Sequence, residues 1–209
     1  MDGRDGATVV AAGEVIAVTT TSFEAQSYVL NDAPPFGSLV TTRGPDGRTH
    51  FALCSGTATG GIEPGRHAMA WGSGSEGDAD IYARQPQLSH VLRTTFSCVL
   101  VGYLDASGSV LQRVPPRPPR VHERVWMADD GTARRFYEDL AYLRFLLRAG
   151  VETVEDLMAA SIGHAYHLFD CDRAFLMRAG KVVARLLAGD HDRLMSVLEL
   201  LSGEEENLL

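Results

Sequence analysis

The sequence predicts an α+β protein, mainly β in its N-terminal half, in which a small closed β-barrel at residues 8–128 precedes a helical domain at residues 129–203. Two observations carry this prediction. The N-terminal half contains short β-type runs broken by glycine turns, a pattern that favours a small barrel over a parallel sheet. The C-terminal half repeats its apolar residues with the 3.6-residue period of helices. Residues 1–7 and 204–209 are expected to be flexible ends.

Four strands are predicted before residue 58. Val, Ile, Thr, Phe and Tyr, which favour strands, are concentrated there in four short runs. Turns separate the last three runs: one contains the prolines at 34 and 35, and the other is the Gly-Pro-Asp-Gly sequence at residues 44–47. The predicted strands are residues 14–20, 23–30, 36–42 and 49–57.

A glycine-rich region at residues 60–80 interrupts this pattern and predicts a long loop. A short helix is expected at residues 86–93, before the strongest predicted strand at residues 94–104. Apolar side chains on both faces of that strand predict burial on both sides. The residues on one face are Phe96, Cys98 and Leu100, and those on the other are Val99, Val101 and Tyr103.

The C-terminal half predicts about four helices. Thr132 is a candidate cap for the first, whose apolar residues recur at a 4-3-4 spacing. Thr153 matches the start of a capping box for the second helix, and Asp170 or Asp172 can cap the third at residues 174–187. The fourth helix is predicted at residues 193–201, with Gly203 as its end. The apolar residues of the first helix are Phe136, Leu140, Leu143 and Leu147.

The composition argues against several classes of function. The chain of 209 residues has a net charge of −8, so it lacks the positive charge of a general nucleic-acid binder. The N-terminus contains no apolar signal region, and no apolar run approaches the roughly 20 residues of a membrane span. These features predict a cytoplasmic protein without membrane association. Cys54 and Cys98, two of the three cysteines, lie in apolar runs, which indicates reduced core thiols.

Three candidate motifs for cofactors or metals are incomplete. Residues 72–77 spell G-x-G-x-x-G, but no helix begins there and no acidic residue follows about 20 positions later. Lys181 follows a glycine without the other residues of a phosphate loop. His164 and His167 lie one turn apart, but a predicted helix break separates them from Cys171, and spacing fixes no further ligand. The sequence therefore predicts no cofactor, no metal and no catalytic residue, and a protein that is not an enzyme.

Residues 115–119 contain four prolines in five positions, which excludes a helix or the interior of a sheet. Extended backbone that carries guanidinium groups suits carboxylates, phosphates or an acidic partner. The alternative is a stiff linker whose arginines pair with the chain's own acids. Both interpretations stay open, and Trp71 in the glycine-rich region is a further candidate contact. The basic residues around the prolines are Arg113, Arg117, Arg120, His122 and Arg124.

Several stretches of the chain resemble a known barrel. Residues 13–16 (Gly-Glu-Val-Ile), 19–23 and 35–40 (Pro-Phe-Gly-Ser-Leu-Val) resemble the opening of a HAS-barrel. This is the small β-barrel shared by HerA-type DNA-pump ATPases and the N-terminal crown of ATP synthase ring subunits. Residues 96–103 and 114–119 resemble the last part of that barrel. The whole chain is more similar still to stand-alone HAS-barrel proteins, common in cyanobacteria, whose Pro-Pro-Arg-Pro-Pro-x-x-His pattern is matched at residues 115–122.

This resemblance implies a structural role, namely ring contacts and the docking of partners. Helices replace the ATPase of HerA proteins and no phosphate loop is found in the sequence, so no catalytic residue carries over. We therefore expect a non-enzymatic assembly or adaptor protein that acts through a protein partner or as a homo-oligomer. The alternative is an accessory factor in DNA processing that binds nucleic acid or a DNA-translocase partner through the Pro/Arg stretch. A third hypothesis, a metal-dependent enzyme around His164 and His167, ranks behind both.

Overall fold

The structure, a computed structural model, describes residues 10–44, 46–63 and 85–206. Its N-terminal part is a closed barrel of six antiparallel strands, with a further two-residue strand attached. The closed barrel that the sequence predicts is therefore confirmed. The strands are β1 (Gly13–Val18), β2 (Ser22–Ser27), β3 (Leu39–Arg43), β4 (Thr49–Gly61), β5 (Leu92–Leu104), β6 (Val110–Leu111) and β7 (Arg124–Met127).

The strand order explains how the barrel closes. The order is β2, β1, β7, β3, β4 and β5, and β5 closes the ring by pairing with β2. β7 lies between β1 and β3 although it comes last in the chain. The proline-rich residues before β7 therefore lead to the strand that completes the barrel. β6 pairs with the C-terminal end of β5.

The two faces of β5 are buried against different parts of the molecule. One face lies in the barrel interior, and the other lies in a second core that the barrel shares with the helices. This confirms the predicted burial on both sides and places the helices on their own barrel. The interior cluster is Val15, Phe23, Ala25, Val40, Ala52, Cys54, Phe96, Cys98, Leu100 and Val125. The strand residues of the shared core are Leu39, Phe51, Leu53, Val99 and Val101.

Five helices follow the barrel in the described part of the chain, one more than predicted. The additional helix arises because residues 138–142 divide the first predicted helix into α2 and α3. A short helix also precedes β5, within the range where the sequence predicts one. The helices are α1 (Leu88–Val91), α2 (Asp130–Tyr137), α3 (Leu143–Leu146), α4 (Val154–Leu168), α5 (Arg173–Leu186) and α6 (His191–Glu206).

The side-chain amide of Gln112 replaces helical hydrogen bonds at this division. Its Nε2 donates to the carbonyl oxygens of Phe136 and Asp139, each at 2.7 Å, and its Oε1 accepts the N–H of Tyr142 at 2.6 Å. Gln112 is itself buried. Unpaired backbone groups are costly inside a protein, so these three bonds allow the chain to leave the helix within the core. The sequence around residue 138 gives no sign of this, because Gln112 lies in a distant segment.

Several predicted element ends differ from the structure. Asp129 caps α2 by accepting the N–H of Thr132, so the predicted cap is wrong by three residues. Thr153 precedes α4 without a side-chain cap bond, and the predicted capping box does not form. Asp172 caps α5, which confirms one of the two predicted candidates. α6 continues past Gly203, which does not end it.

Two predictions for the barrel segment also need correction. β4 continues through Gly61, so the first two glycines assigned to the loop belong to a strand. Phe36 and Gly37 precede β3 in a turn because Gly37 has a φ of +77° and lies against α4. An added Cβ on Gly37 would lie 2.5 Å from the Cβ of Ala160. The G-x-G-x-x-G motif at residues 72–77 and Trp71 lie outside the described residues.

Candidate partner-binding surface

The connection from β6 to β7, residues 112–123, is here called the proline strap. Its prolines do not all face the same way: Pro115 and Pro119 are buried, whereas Pro116 is exposed. Arg117 and Arg120 are exposed in the same segment. Because each proline holds φ near −65°, the strap is a stiff backbone that presents its arginines outward.

Arg113 attaches the beginning of the strap to the barrel. Its Nε and Nη2 donate to the hydroxyl of Tyr103 at 3.1 and 3.0 Å. The guanidinium of Arg48 also lies over the Tyr103 ring, 5.7 Å from its centroid. Tyr103 is only 2% exposed, so Arg113 contacts a fixed part of β5. Arg113 is therefore held by its own chain, as the linker interpretation expects, but its partner is a tyrosine hydroxyl and not an acid.

The middle of the strap carries two differently placed arginines. The Nε of Arg120 lies 3.2 Å from Oε1 of Glu123, yet 68% of the Arg120 side chain is exposed. No ion pair joins Arg117 to any acidic side chain in the described part of the chain. An exposed ion pair contributes little to stability. Both guanidinium groups are thus accessible to a further anionic group.

His122 turns the end of the strap onto β1. Its φ of +72° is unusual for a residue with a side chain, and its N–H donates to the carbonyl of Val15 at 2.8 Å. Its Nδ1 lies 2.5 Å from Oε1 of Glu14, whose Oε2 accepts the hydroxyl of Tyr28 at 3.1 Å. The hydrogen bond with His122 is the largest of the effects that lower the pKa of Glu14, followed by that with Tyr28. This network fixes the strap beside β1 and β2.

These contacts define one surface, which we call the strap face. It combines cationic side chains with exposed aromatic and aliphatic groups, since Tyr28 is 52% exposed and Val121 is 44% exposed. Four of the six basic or aromatic residues predicted as contacts lie on it, whereas Arg113 is committed to Tyr103 and Trp71 is not described. The strap face consists of Tyr28, Arg117, Arg120, Val121, His122 and Arg124.

A buried polar cluster beneath the strap was not predicted from the sequence. Thr42 and His50 are paired across β3 and β4, and each is 1% exposed. Thr42 Oγ1, His50 Nδ1 and Glu123 Oε2 have no hydrogen-bond partner in the described part of the chain. Burial is the main cause that lowers the pKa of His50, and a hydrogen bond with the backbone of Arg117 opposes it. A histidine at the beginning of an otherwise apolar strand was the only sequence signal for this cluster.

Of the three residues considered for a metal site, the structure brings His167 and Cys171 together, whereas His164 contacts the segment before β3. His164 Nε2 lies 2.9 Å from the carbonyl oxygen of Phe36, and His167 Nδ1 lies 3.8 Å from the sulfur of Cys171. Within residues 10–44, 46–63 and 85–206, no three His, Cys, Asp or Glu side chains come together as metal ligands would. The geometry therefore does not support the metal-dependent hypothesis.

Lys181, weighed above as part of a phosphate loop, lies in a charged cleft between α5 and residues 138–140, which follow α2. The cleft has a volume of about 310 Å³ and is also lined by Arg178, Arg185, Glu138 and Asp139. The two carboxylates offset much of the positive potential, and neighbouring carboxylates repel phosphate groups. This arrangement does not resemble the backbone cradle of a phosphate loop.

The comparisons with known proteins leave the chain without an assigned family. No model of a known protein family matches it. A search of curated proteins likewise finds no match. As for membranes, none of the helices that the structure describes has both the length and the apolar character needed to cross a bilayer.

Proposed function

We propose that this protein is a non-enzymatic assembly or adaptor protein that binds an acidic surface of a protein partner through its strap face. The observation that supports the proposal most directly is the orientation of the strap, whose buried prolines hold the backbone while Arg117 and Arg120 face outward. A segment that is already rigid loses little conformational entropy on binding. Its guanidinium groups can bind carboxylates in a bidentate manner.

The composition of the strap face agrees with this proposal. Protein interfaces are enriched in Arg and aromatic residues, and their strongest contacts often involve Tyr and Arg. The exposed ring of Tyr28 and the exposed side chain of Val121 provide apolar contact area beside the cations. A face of this kind differs from a general nucleic-acid site, because the protein as a whole carries a net charge of −8 and nucleic acid would be repelled outside the strap.

We also infer that the barrel is a HAS-type barrel that acts in the cytoplasm. The support is the resemblance of residues 13–40 and 96–122, together with a proline-rich connection that leads out of β5 and β6. In HerA-type proteins such a barrel precedes an ATPase, whereas in the described part of this chain five helices follow the barrel and share an apolar core with it. The role that remains is docking and assembly.

The proposal is tested by comparing the proteins that co-purify with three forms of the full chain from cells of the source organism. The strap variant is Arg117→Glu together with Arg120→Glu. The matched control, Arg148→Glu with Arg185→Glu, makes the same charge change at two exposed positions outside the strap face. We expect at least one acidic protein to be retained by the wild type and the control but lost from the strap variant.

Binding of that purified partner is then measured by titration. Loss of two arginine contacts at roughly 1–2 kcal/mol each weakens binding, raising Kd by about 30- to 1,000-fold. Equal binding by the strap variant and the control would overturn the proposed surface. Light scattering on size-exclusion chromatography, across a dilution series, identifies the case in which the partner is a second copy of the chain.

The nucleic-acid alternative is separated by fluorescence anisotropy with labelled single- and double-stranded DNA. The alternative requires that the protein bind DNA with a Kd below roughly 100 μM at about 0.15 M salt. It also requires that the dependence of this Kd on salt become weaker in the strap variant. Such a result would replace the adaptor proposal. We expect no saturable binding under these conditions.

A further inference from the structure

The two cysteines of the barrel interior lie directly opposite each other on neighbouring strands. Cys54 of β4 is the register partner of Cys98 of β5. The N–H of Cys54 donates to the carbonyl of Ser38 at 3.0 Å, and its own carbonyl accepts the N–H of Gly37 at 2.8 Å. Both backbone groups of Cys54 therefore point away from β5. The two cysteines form a non-hydrogen-bonded cross-strand pair, the kind in which side chains are closest.

This pairing meets the distance requirement for a disulfide. The Cα atoms of a non-hydrogen-bonded antiparallel pair are about 4.5 Å apart, and disulfides join residues whose Cα atoms are about 4.4–6.8 Å apart. Both side chains belong to the interior cluster, and neither is exposed to solvent. The thiols thus share one face of the sheet within the apolar barrel interior. Both cysteines are free thiols in the structure.

The environment makes the two thiols chemically unequal. The Cys54 thiol donates to the carbonyl of Pro34 at 3.2 Å. A hydrogen bond from the Cys98 thiol is the largest of the effects that lower the pKa of Cys54, whereas burial is the main cause that raises the pKa of Cys98. The thiolate is the form that reacts with oxidants. The direction of this difference favours Cys54 as the attacking thiol and Cys98 as the resolving one.

We propose that Cys54 and Cys98 form a reversible cross-strand disulfide when the protein meets a peroxide. The Cys54 thiolate attacks one oxygen of hydrogen peroxide, which breaks the O–O bond, gives a sulfenic acid and releases hydroxide. The Cys98 sulfur then attacks the Cys54 sulfur, the S–O bond breaks and water leaves as the proton of Cys98 is taken up. In total, two thiols and one hydrogen peroxide give one disulfide and two waters.

The disulfide would connect β4 and β5 inside the barrel, next to a bulge in their pairing. The register shifts between Cys54 and Gly56, and beyond this bulge the two strands continue as a paired ribbon to Gly61 and Leu92. Bulges are points at which strands bend. A covalent link at this position would fix the base of the ribbon to the barrel. The inference concerns the barrel interior and is independent of the strap face.

The test treats the folded full chain with hydrogen peroxide, blocks the remaining thiols with iodoacetamide and digests with trypsin without reduction. The cleavage sites around the cysteines place Cys54 in peptide 49–66, Cys98 in peptide 94–113 and Cys171 in peptide 149–173. Mass spectrometry should detect peptide 49–66 linked to peptide 94–113, with a mass about 2 Da below the sum of the two thiol peptides. Dithiothreitol should restore both thiols.

Cys171 supplies an internal control, because it lies in another part of the chain and is only half-buried. The Cys171→Ser variant should form the same link to the same extent. Cys98→Ala should give no link and leave Cys54 as a sulfenic acid that dimedone captures. Links that involve Cys171, or sulfinic acid at Cys54 in the wild type without the link to Cys98, would overturn the proposal.

A second test measures the unfolding temperature of the wild-type protein, so it does not require the Cys98→Ala variant to fold. The peroxide-treated wild type should unfold at a higher temperature than the reduced protein, by on the order of 5–10 °C, because the disulfide closes a loop of more than 40 residues in the unfolded chain. The difference should disappear after treatment with dithiothreitol. If the disulfide forms completely but the unfolding temperature does not change, the disulfide does not fit the native register of β4 and β5.

Discussion

Two parts of the chain cover the barrel, and they do so by opposite means. The helices cover the outer face of β3, β4 and β5 with a continuous apolar core. The proline strap buries only single residues such as Pro115 and Pro119, and its two ends are held by polar contacts, those of Arg113 with Tyr103 and of His122 with Glu14. Apolar burial is proportional to area and favours one cooperative core, whereas isolated surface polar contacts contribute little each. The helical cover therefore stabilises the barrel, and the strap is free to present side chains.

The largest effect is expected from a cavity in the helical cover. Phe136 is not exposed, and its ring centroid lies 5.0 Å from that of Phe51 and 5.2 Å from that of Tyr142. We expect Phe136→Ala to lower the free energy of unfolding by about 3–5 kcal/mol, measured by urea denaturation. The exposed neighbour Glu138, changed to alanine, serves as the control and should have an effect within about 0.5 kcal/mol.

The same experiment tests whether barrel and helices share one core. Tryptophan fluorescence, to which Trp126 of β7 contributes, reports on the barrel, and circular dichroism at 222 nm reports on the helices. With a shared core, the two signals should change at the same urea concentration in the wild type and in Phe136→Ala. Two separate transitions would show that the helices fold as an independent unit.

The second effect concerns Gln112, the residue at which the two covers meet. Gln112→Ala leaves two carbonyl oxygens and the N–H of Tyr142 without partners in the core. At about 1–3 kcal/mol for each unpaired buried group, partly relieved by water, we expect a loss of about 3 kcal/mol. The exposed Gln26, changed to alanine, is the matched control. Loss of hydrogen-exchange protection at the Tyr142 amide should accompany the change, and its persistence would contradict the assigned role.

The third effect depends on pH, because the strap buries His50. Burial lowers the pKa of His50 in the folded state, whereas in the unfolded chain it lies near the ordinary value of about 6.5. Below about pH 6.5 the unfolded chain therefore binds a proton that the folded protein does not, so stability falls as pH decreases and is recovered above that value. His50→Gln should flatten the fall between about pH 6.5 and 5, measured by urea denaturation at each pH.

The matched control is His90→Gln, since His90 is exposed. If His90→Gln flattens the fall in stability between about pH 6.5 and 5 and His50→Gln does not, the pH dependence does not come from His50. The lowered pKa of Glu14 acts in a different window, because its stabilising contribution is lost only when the pH falls below the ordinary value of about 4.5. The two groups can therefore be distinguished by pH.

The accuracy of sequence-based prediction depended on whether a feature is set by neighbouring residues or by distant ones. The burial of β5 on both faces followed from local alternation, because neighbours along a strand face opposite sides regardless of the rest of the chain. The division of the first helix did not follow, since the partner of residues 136–142 is Gln112. The capping box predicted at Thr153 does not form. The motif shows only that the side chain is able to cap the helix, and in the structure the Thr153 side chain makes no cap hydrogen bond.

The candidate surface was predicted in part. Clustered prolines and arginines indicated an exposed, stiff segment, and the structure shows Arg117, Arg120, His122 and Arg124 as exposed residues in it and at the start of β7. The commitment of Arg113 to Tyr103 depends on how β5 and β6 pair, and no local pattern reports that. Tyr28 belongs to the strap face for the same reason, because the strap reaches it only after β7 has paired with β1.

The smallest effect distinguishes Arg113, which attaches the strap to the barrel, from Arg117, which is exposed. Arg113 donates two hydrogen bonds to a buried hydroxyl, so we expect Arg113→Ala to lower the free energy of unfolding by about 1 kcal/mol. Arg117 has no such partner among the described residues, so Arg117→Ala should change the free energy of unfolding by less than about 0.5 kcal/mol. Tyr103→Phe removes the shared hydroxyl, and the double variant with Arg113→Ala should show a coupling of about 0.5–1 kcal/mol by thermal denaturation. Equal losses for the two arginines would mean that the strap is held along its whole length, and Arg117 would then no longer be a residue free to bind a partner.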